Sequence, residues 1–481
     1  MLSQKKQKQP VVAVVGGGVA GATAALHFAE LGNEVILIEK GDGLVSGPPI
    51  CHLHAGGNLY REIDLQQCLE LLEQSINTVR LYPFTLNKRP TVIATPYSDG
   101  GEPLDIVPRL ETIKKAYQSL VVQDPRNRVI GDPETYFKLY SYEQLVELSH
   151  SEQPSNPTGL DDWVIPFAQN VDLETLKYPV AVVQEYGWSV FRLAASVSLA
   201  LEHLPNCKVR TSTTLDKVEE TESGWKLFTT DKNGETEVEH ADYLVNACGF
   251  ETGTVDDLAK RPRKRLVEFK AAYVTQWESC QQQWPEVIFH GPRGTPTGMA
   301  QLTPYAGNIF QLHGMTEDIT LFKDGLVASN NETSQPQLPH RLQNKIQSGW
   351  QPQTMEFRSQ KAIDHVSQFI PPYKNAVRCG KPLFGAQQIP GDDETLRAAD
   401  VSFEGNRYAR LEIVKGSSAL PAAYKISERW KLVSSETNIG EIEQDHPISM
   451  SLTHEQVEQK AIELAKQRHY PIELAMTVGE D

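Results

Sequence analysis

The sequence predicts an α/β protein: a parallel, doubly wound domain assembled from separated stretches of chain, with a mixed α+β sheet domain inserted into it. Three observations carry that expectation. Residues 11–15 form a continuous apolar, β-branched run, as a strand buried on both faces requires. A glycine turn, a stretch of helix formers and a second apolar strand follow at once, making one compact βαβ unit. After residue 80 the texture changes to short mixed elements interrupted by Pro83, Pro90, Pro96, Pro103, Pro108 and Pro125.

Taken in order, the first strand (11–15) leads through the turn 16–21 into a helix over 22–31. Gly32 and Asn33 end that helix, and 34–39 is the second parallel strand. A helix with a strong apolar face is expected over 188–202. Residues 207–219, 225–230 and 236–246 read as strands, and the turn 231–234 joins the last two as a hairpin. Further strands are expected at 266–275, 287–290 and 308–312. Residues 415–421 open another helix, and 431–450 are polar and linker-like. Thr453 with Gln456 is a capping box for a last helix to about residue 467. The resulting division gives residues 1–80, 181–265 and 372–430 to the doubly wound domain. Residues 81–180 and 266–371 form the inserted domain, and 431–481 a C-terminal linker and helix.

Composition narrows the function. At 481 residues the chain suits two packed domains, with 40% apolar, 8% aromatic and 22% charged residues. A net charge of −16 argues against nucleic acid and against electrostatic adhesion to anionic lipid. The basic run 260–265 is read as a solvated turn or strand edge. No apolar run is long enough to cross a bilayer, and the polar start, with Lys5, Lys6 and Lys8, lacks a secretory pattern. Six scattered cysteines without a C-x-x-C pair fit a reduced, cytoplasmic protein and no zinc module.

The chemistry is carried first by Gly16-Gly17-Gly18-Val19-Ala20-Gly21. Gly16 permits the tight turn, Gly18 admits a pyrophosphate against the backbone, and Gly21 lets helix and strand lie close. The helix start offers unpaired N–H groups to the phosphates. Glu39, followed by Lys40, ends the second strand 18 positions beyond Gly21, where a carboxylate accepts from ribose hydroxyls and disfavours a 2′-phosphate. Two later segments have the same small-residue character: the strand and turn 242–249, with Ala247, Cys248 and Gly249, and Lys415-Gly416-Ser417-Ser418-Ala419. Small residues at a helix start let backbone amides approach the N1–C2=O edge of a flavin.

With these three motifs in this order, the chain resembles the D-amino-acid oxidase superfamily of FAD-dependent oxidoreductases over residues 10–430. The resemblance implies bound FAD, contacted by the residues named above together with Val218 and with His54, Ala55 and Gly56. The His54-Ala55-Gly56 segment with Tyr60, the strand 267–273 and the stretch 301–304 are similar to the L-2-hydroxyglutarate dehydrogenase branch. Departures occur at Ala271, at Gly57-Asn58 and between Arg378 and Phe384. Some relatives attach FAD covalently to a histidine of a Trp-His-Ala-Ala-Gly segment. The match at His54 is partial, and a non-covalent FAD is expected. His52 and His54 share a face of an extended segment, but no third ligand accompanies them and no metal is expected.

The resemblance further implies oxidation of a small amino acid, amine or 2-hydroxy acid, with hydride passing to flavin N5 and oxygen or a quinone as acceptor. Hydroxy-acid oxidation requires a base for the hydroxyl proton. His54 and His313 are the candidates, His313 being equally a hydrogen-bonded structural histidine. A carboxylate substrate calls for an arginine. Arg378 is the first candidate, ahead of Arg61 and Arg293, with a surface salt bridge as its alternative role. Lys270 matches a basic residue of the family strand and lies either near flavin N5 or facing solvent. A quinone-linked dehydrogenase of the same fold and a flavin-binding protein with a decayed substrate site are the rival readings.

Overall fold

The computed structural model of the chain describes residues 9–48, 53, 61, 63–433 and 440–479. Its nucleotide-binding sheet has six strands, in the order Val401–Glu404, Tyr408–Leu411, Tyr243–Asn246, Val11–Val15, Glu34–Ile38 and Cys207–Arg210. All neighbours are parallel except the antiparallel edge strand Val401–Glu404. Val12 lies opposite both Tyr243 and Val35, so the first strand is central and buried on both faces, as its unbroken apolar run requires.

The helix Val19–Glu30 starts three residues earlier than expected, because extended Gly18 is its N-cap. The run 207–219 is two strands, Cys207–Arg210 and Thr213–Thr221, separated where Ser212 takes a φ of +51°. The run 236–246 is also divided. Thr236–Ala241 pairs in an antiparallel three-stranded sheet with Gly224–Asp231, closed by the expected hairpin turn, whereas Tyr243–Asn246 joins the parallel sheet. Asp242 makes the switch: its carboxylate accepts the Val11 N–H at 2.8 Å. Trp188 belongs to a two-residue strand paired with Leu86, and the helix behind it, Val190–Glu202, begins after the Ser189 cap.

The second sheet has ten strands. Along its main path run Leu326–Ala328, Arg265–Gln276, Ile309–Gly314, Ala300–Pro304, Glu286–Phe289, Thr91–Pro96, Leu176–Val183 and Phe137–Tyr140. Val377–Arg378 and Leu383–Pro390 also pair with Arg265–Gln276. The chain therefore returns to the nucleotide-binding sheet at Val401, not at residue 372. One face of the large sheet, with Tyr273, Leu302 and Phe310, packs on Val164 and Phe167 of Leu160–Asn170 and on Ile363 and Val366 of Pro352–Val366. The opposite face places Ile93, Ala272, Val274 and Leu383 in the same apolar cluster as Ala22, Trp188 and Ala423. That face is laid against the nucleotide-binding domain.

Two polar stretches contain residues that the fold buries. Within 431–450, expected as a linker, Ile442–Asp445 and Pro447–Met450 are short helices. Their free N–H groups at Ile448 and Ser449 are accepted by Glu30 at 2.7 and 3.0 Å, and His446 is fully buried. The last helix, His454–Gln467, has the reciprocal Thr453–Gln456 capping box and lies along Val190–Glu202. In the basic run 260–265, Arg265 is not solvated. It is buried and paired with Asp256 and Glu412. Among the described residues no helix is long and apolar enough to cross a membrane.

Candidate cofactor and substrate site

The fingerprint turn is held by contacts that only glycine tolerates. Gly16 has a φ of +98°, and a Cβ there would lie 2.5 Å from the Ala247 carbonyl oxygen. A Cβ on Gly21 would collide with the Gly16 carbonyl oxygen. Gly18 is different: a Cβ there meets no described atom within 4 Å, so its open side is available to a ligand at the helix start. Ala20 is buried behind it and Val19 is half-buried. Glu39 accepts the N–H groups of Gly17 and Gly41, each at 2.6 Å, which fixes its carboxylate beside the turn. Lys40 pairs with Glu251, tying the end of the second strand to the turn that begins at Gly249.

The second motif abuts the first. Ala247 donates to the Val15 carbonyl at 2.8 Å, and the Cys248 thiol donates to the same oxygen at 3.3 Å. Burial pushes that thiol's pKa well up, so Cys248 is a packed neutral group and not a nucleophile. The third motif closes the cradle. A Cβ on Gly416 would lie 2.6 Å from the Trp188 ring and 3.5 Å from Val19 Cγ1. Trp188 is fixed by its indole N–H, which donates to Thr85 Oγ1 at 2.9 Å. Ser418 donates to Gln74 at 2.6 Å, and the Ser417 carbonyl accepts from Thr78 at 3.2 Å. Ser417 Oγ is buried without a hydrogen-bond partner among the described residues, and Ala419 starts the helix Ala419–Trp430. An open glycine, a buried unpartnered hydroxyl and two helix starts that meet at Val19 and Gly416 fit a dinucleotide. Val218 lies in an apolar seam with Ala13, Val15, Ile36 and Trp225, against which Cys248 of the second motif packs.

The catalytic candidates fall in different places. His54, Ala55 and Gly56 lie outside the described residues, as do His52 and Tyr60. Lys270 is on the sheet face turned to the nucleotide-binding domain. It contacts Glu268 at 2.7 Å and donates to Gln387 Oε1 at 3.3 Å, and Gln387 in turn donates to the Val414 carbonyl at 2.7 Å, two residues before Gly416. Burial lowers its pKa. His313 lies on the same face, buried and in register with Gln301. Arg378 is not brought to this face. It pairs with Thr275, whose hydroxyl meets Tyr373 on the far side, and its guanidinium contacts Glu356 at 3.0 Å and the Gly380 carbonyl at 2.8 Å. The surface salt bridge is therefore its observed role. Arg61 is held by Asp99 at 2.6 Å and by His290 at 2.9 Å, and Arg293 by Glu268.

Sequence reasoning missed a polar array on the inner sheet face. Arg89 pairs with Glu286 at 2.5 Å, Gln301 donates to Glu286, and Tyr305 donates to Gln311 at 3.3 Å. The available signal was polar residues at every second position in two apolar strands: Gln301 and Thr303, then Gln311 and His313. It also missed Arg468, which donates to the Val45 and Leu44 carbonyls, both at 2.8 Å.

Comparison with known proteins agrees with this geometry. Residues 12–81 match the model of the family described as DAO, FAD dependent oxidoreductase. No curated protein matches the chain in sequence. Among solved structures it is similar to L-proline dehydrogenase from P. horikoshii (15% identity, TM-score 0.56, covering 92% of this chain and 98% of that one). It is likewise similar to glycerol-3-phosphate dehydrogenase from Bacillus halodurans, complexed with FAD (13%, 0.56, 96% and 72%), and to glycine oxidase from Geobacillus kaustophilus (12%, 0.54, 90% and 98%). These identities speak for the fold alone, and they do not single out the hydroxyglutarate dehydrogenase branch. By its matched segment, residues 12–81, the chain carries the dinucleotide-binding part of the family described as FAD dependent oxidoreductase, set in a fold similar to that of glycine oxidase.

Proposed function

We propose that the protein oxidises a small amino acid, amine or 2-hydroxy acid at the inner face of the large sheet. When bound, FAD supplies the hydride acceptor, its N5. The observation that carries the reading is the chain of contacts from Glu268 through Lys270 and Gln387 to the Val414 carbonyl. It lays the substrate-domain face directly against the third coenzyme motif. Gly16, Gly18, Gly21 and Glu39 hold the dinucleotide end, and Gly416, Ser417, Ser418 and Ala419 the flavin end. Lys270 and His313 are the described groups on that face that hold or take a proton beside the substrate. The similar structures include a glycine oxidase, an L-proline dehydrogenase and an L-amino acid deaminase, which supports the amino-acid side of the reading.

Anaerobic mixing of the FAD-loaded protein with a panel of amino acids, amines and 2-hydroxy acids tests it. Bleaching of the flavin by one class is expected, and reoxidation by oxygen or by a soluble quinone then identifies the acceptor. A panel that leaves the flavin yellow throughout overturns the reading.

A further inference from the structure

Thr303 and Gln311 face each other across adjacent strands, and both are buried, at 1% and 0% exposure. Among the described residues Thr303 Oγ1 has no hydrogen-bond partner. Gln311 spends its Oε1 on the Tyr305 hydroxyl at 3.3 Å, and its Nε2 donates to none of the described residues. Desolvating a hydroxyl and an amide N–H without compensation opposes folding, and buried polar groups are rarely left so. Here two occur side by side.

Their surroundings say where they point. Gln311 is in register with Val274, and the neighbouring pair is Gln301 with His313. Val274 on one flank and Ile93 on the other belong to the apolar cluster shared with the nucleotide-binding domain. The two unpartnered groups therefore form a polar island in the seam between the domains, on the same face as Lys270 and His313. The island carries no free charge of its own, because Arg89 beside it is neutralised by Glu286.

We propose that Thr303 and Gln311 form the subsite that receives the carboxylate of the substrate. The Gln311 N–H groups and the Thr303 O–H donate to its oxygens, the role that sequence reasoning gave to Arg378. The proposal rests on the amino- or hydroxy-acid reading above. It names neutral donors in a buried seam where an arginine clamp was expected. Neutral donors bind a carboxylate less tightly than a guanidinium does, and they discriminate by geometry and desolvation.

The test uses binding and stability, neither of which requires turnover. The FAD-loaded protein is titrated with acetate, pyruvate and benzoate, and with acetamide and benzamide as neutral isosteres, following the flavin absorption spectrum. Carboxylates are expected to perturb the spectrum of the wild type more strongly than the amides do. Thr303→Val and Gln311→Leu are expected to raise the carboxylate Kd about tenfold each. Thr303→Val, which deletes an unsatisfied hydroxyl without changing shape, is expected to melt at or above the wild-type temperature in the absence of ligand. Wild-type carboxylate affinity in both variants overturns the proposal, as does amide binding that equals carboxylate binding. A Thr303→Val protein that melts several degrees lower shows a structural hydroxyl and overturns it as well. If the substrate panel leaves the flavin yellow while carboxylates still bind through these two residues, the subsite stands and only the catalytic reading falls.

Discussion

His27 Nδ1 lies 3.0 Å from His446 Nε2 and joins the fingerprint helix to the C-terminal segment. The chain of contacts continues from His27 Nε2 to Ser427 at 3.1 Å and from His446 Nδ1 to the Ile442 carbonyl at 2.9 Å. Burial, chiefly, lowers both pKa values below 6.5, and for His27 the proximity of His446 adds to it; Asp445 and Glu443 act weakly the other way on His446. The folded state therefore excludes protons that the unfolded chain binds. Stability from this source is complete above 6.5 and is lost as pH falls below it, by roughly 1.4 kcal/mol per pH unit for each excluded proton. Thermal melts between about pH 7.5 and about pH 5.5 should show this decline, and His446→Asn should flatten it. An unchanged slope in that variant would place the pH dependence elsewhere.

Gly18→Ala and Gly21→Ala should separate binding from folding. A methyl on Gly18 meets no described atom, so the apoprotein should keep its stability to within about 0.5 kcal/mol while FAD affinity falls. A methyl on Gly21 strikes the Gly16 carbonyl and should cost about 1–3 kcal/mol or more. Urea titration of the apoproteins, with fluorescence titration of FAD, reads both quantities. Equal destabilisation by the two substitutions would contradict the assigned roles.

These glycines were legible in the sequence because the constraint that each obeys is local or belongs to one βαβ unit. The division of 236–246 was not legible, because the group that causes it, Asp242, bonds to Val11, 231 positions away. The outward placement of Arg378 was equally hidden: which face a strand residue occupies depends on pairing register, and a shift of one residue reverses it. The docking of 440–450 was obscured by its polar composition. Its polar groups are satisfied by Glu30 and His27, on a helix more than four hundred positions earlier.

Asp256→Asn should be among the most destabilising conservative substitutions in the protein. The carboxylate pairs with Arg265, and it accepts from Arg410 Nε at 2.6 Å and from the Tyr408 hydroxyl at 2.8 Å, all in full burial. Removing its charge leaves two buried guanidinium groups with only Glu412 and Glu404 to balance them. A cost of about 3–5 kcal/mol is expected from urea unfolding. A loss below about 1 kcal/mol would mean that the remaining carboxylates suffice.

Lys270→Met should act on the coenzyme more than on the fold. The side chain reaches the third motif through Gln387, and Glu268 keeps Arg293 as a second partner when it is gone. Removing a positive charge near the third motif disfavours a reduced, anionic coenzyme bound there. The midpoint potential of bound FAD should fall and reduction of the flavin by substrate should slow about tenfold, with partial recovery in Lys270→Arg. An unshifted potential would detach Lys270 from the site.

Arg468 ties the C-terminal segment to the loop beside the fingerprint turn. Its guanidinium donates to the carbonyls of Leu44 and Val45; Val45 is held at a φ of +50° and donates its own N–H to the Gly17 carbonyl at 2.7 Å. The fingerprint turn is thus braced from a residue 447 positions beyond Gly21. Burial lowers the pKa of Arg468, and the group remains charged at neutral pH. Arg468→Ala leaves two carbonyls without their charged donor, so a loss of about 2 kcal/mol is expected, together with faster FAD release on dilution. Arg468→Lys should recover only part, because one ammonium cannot reproduce the two-armed contact. If FAD release is unaltered in the alanine variant while stability falls, the segment braces the fold but not the coenzyme.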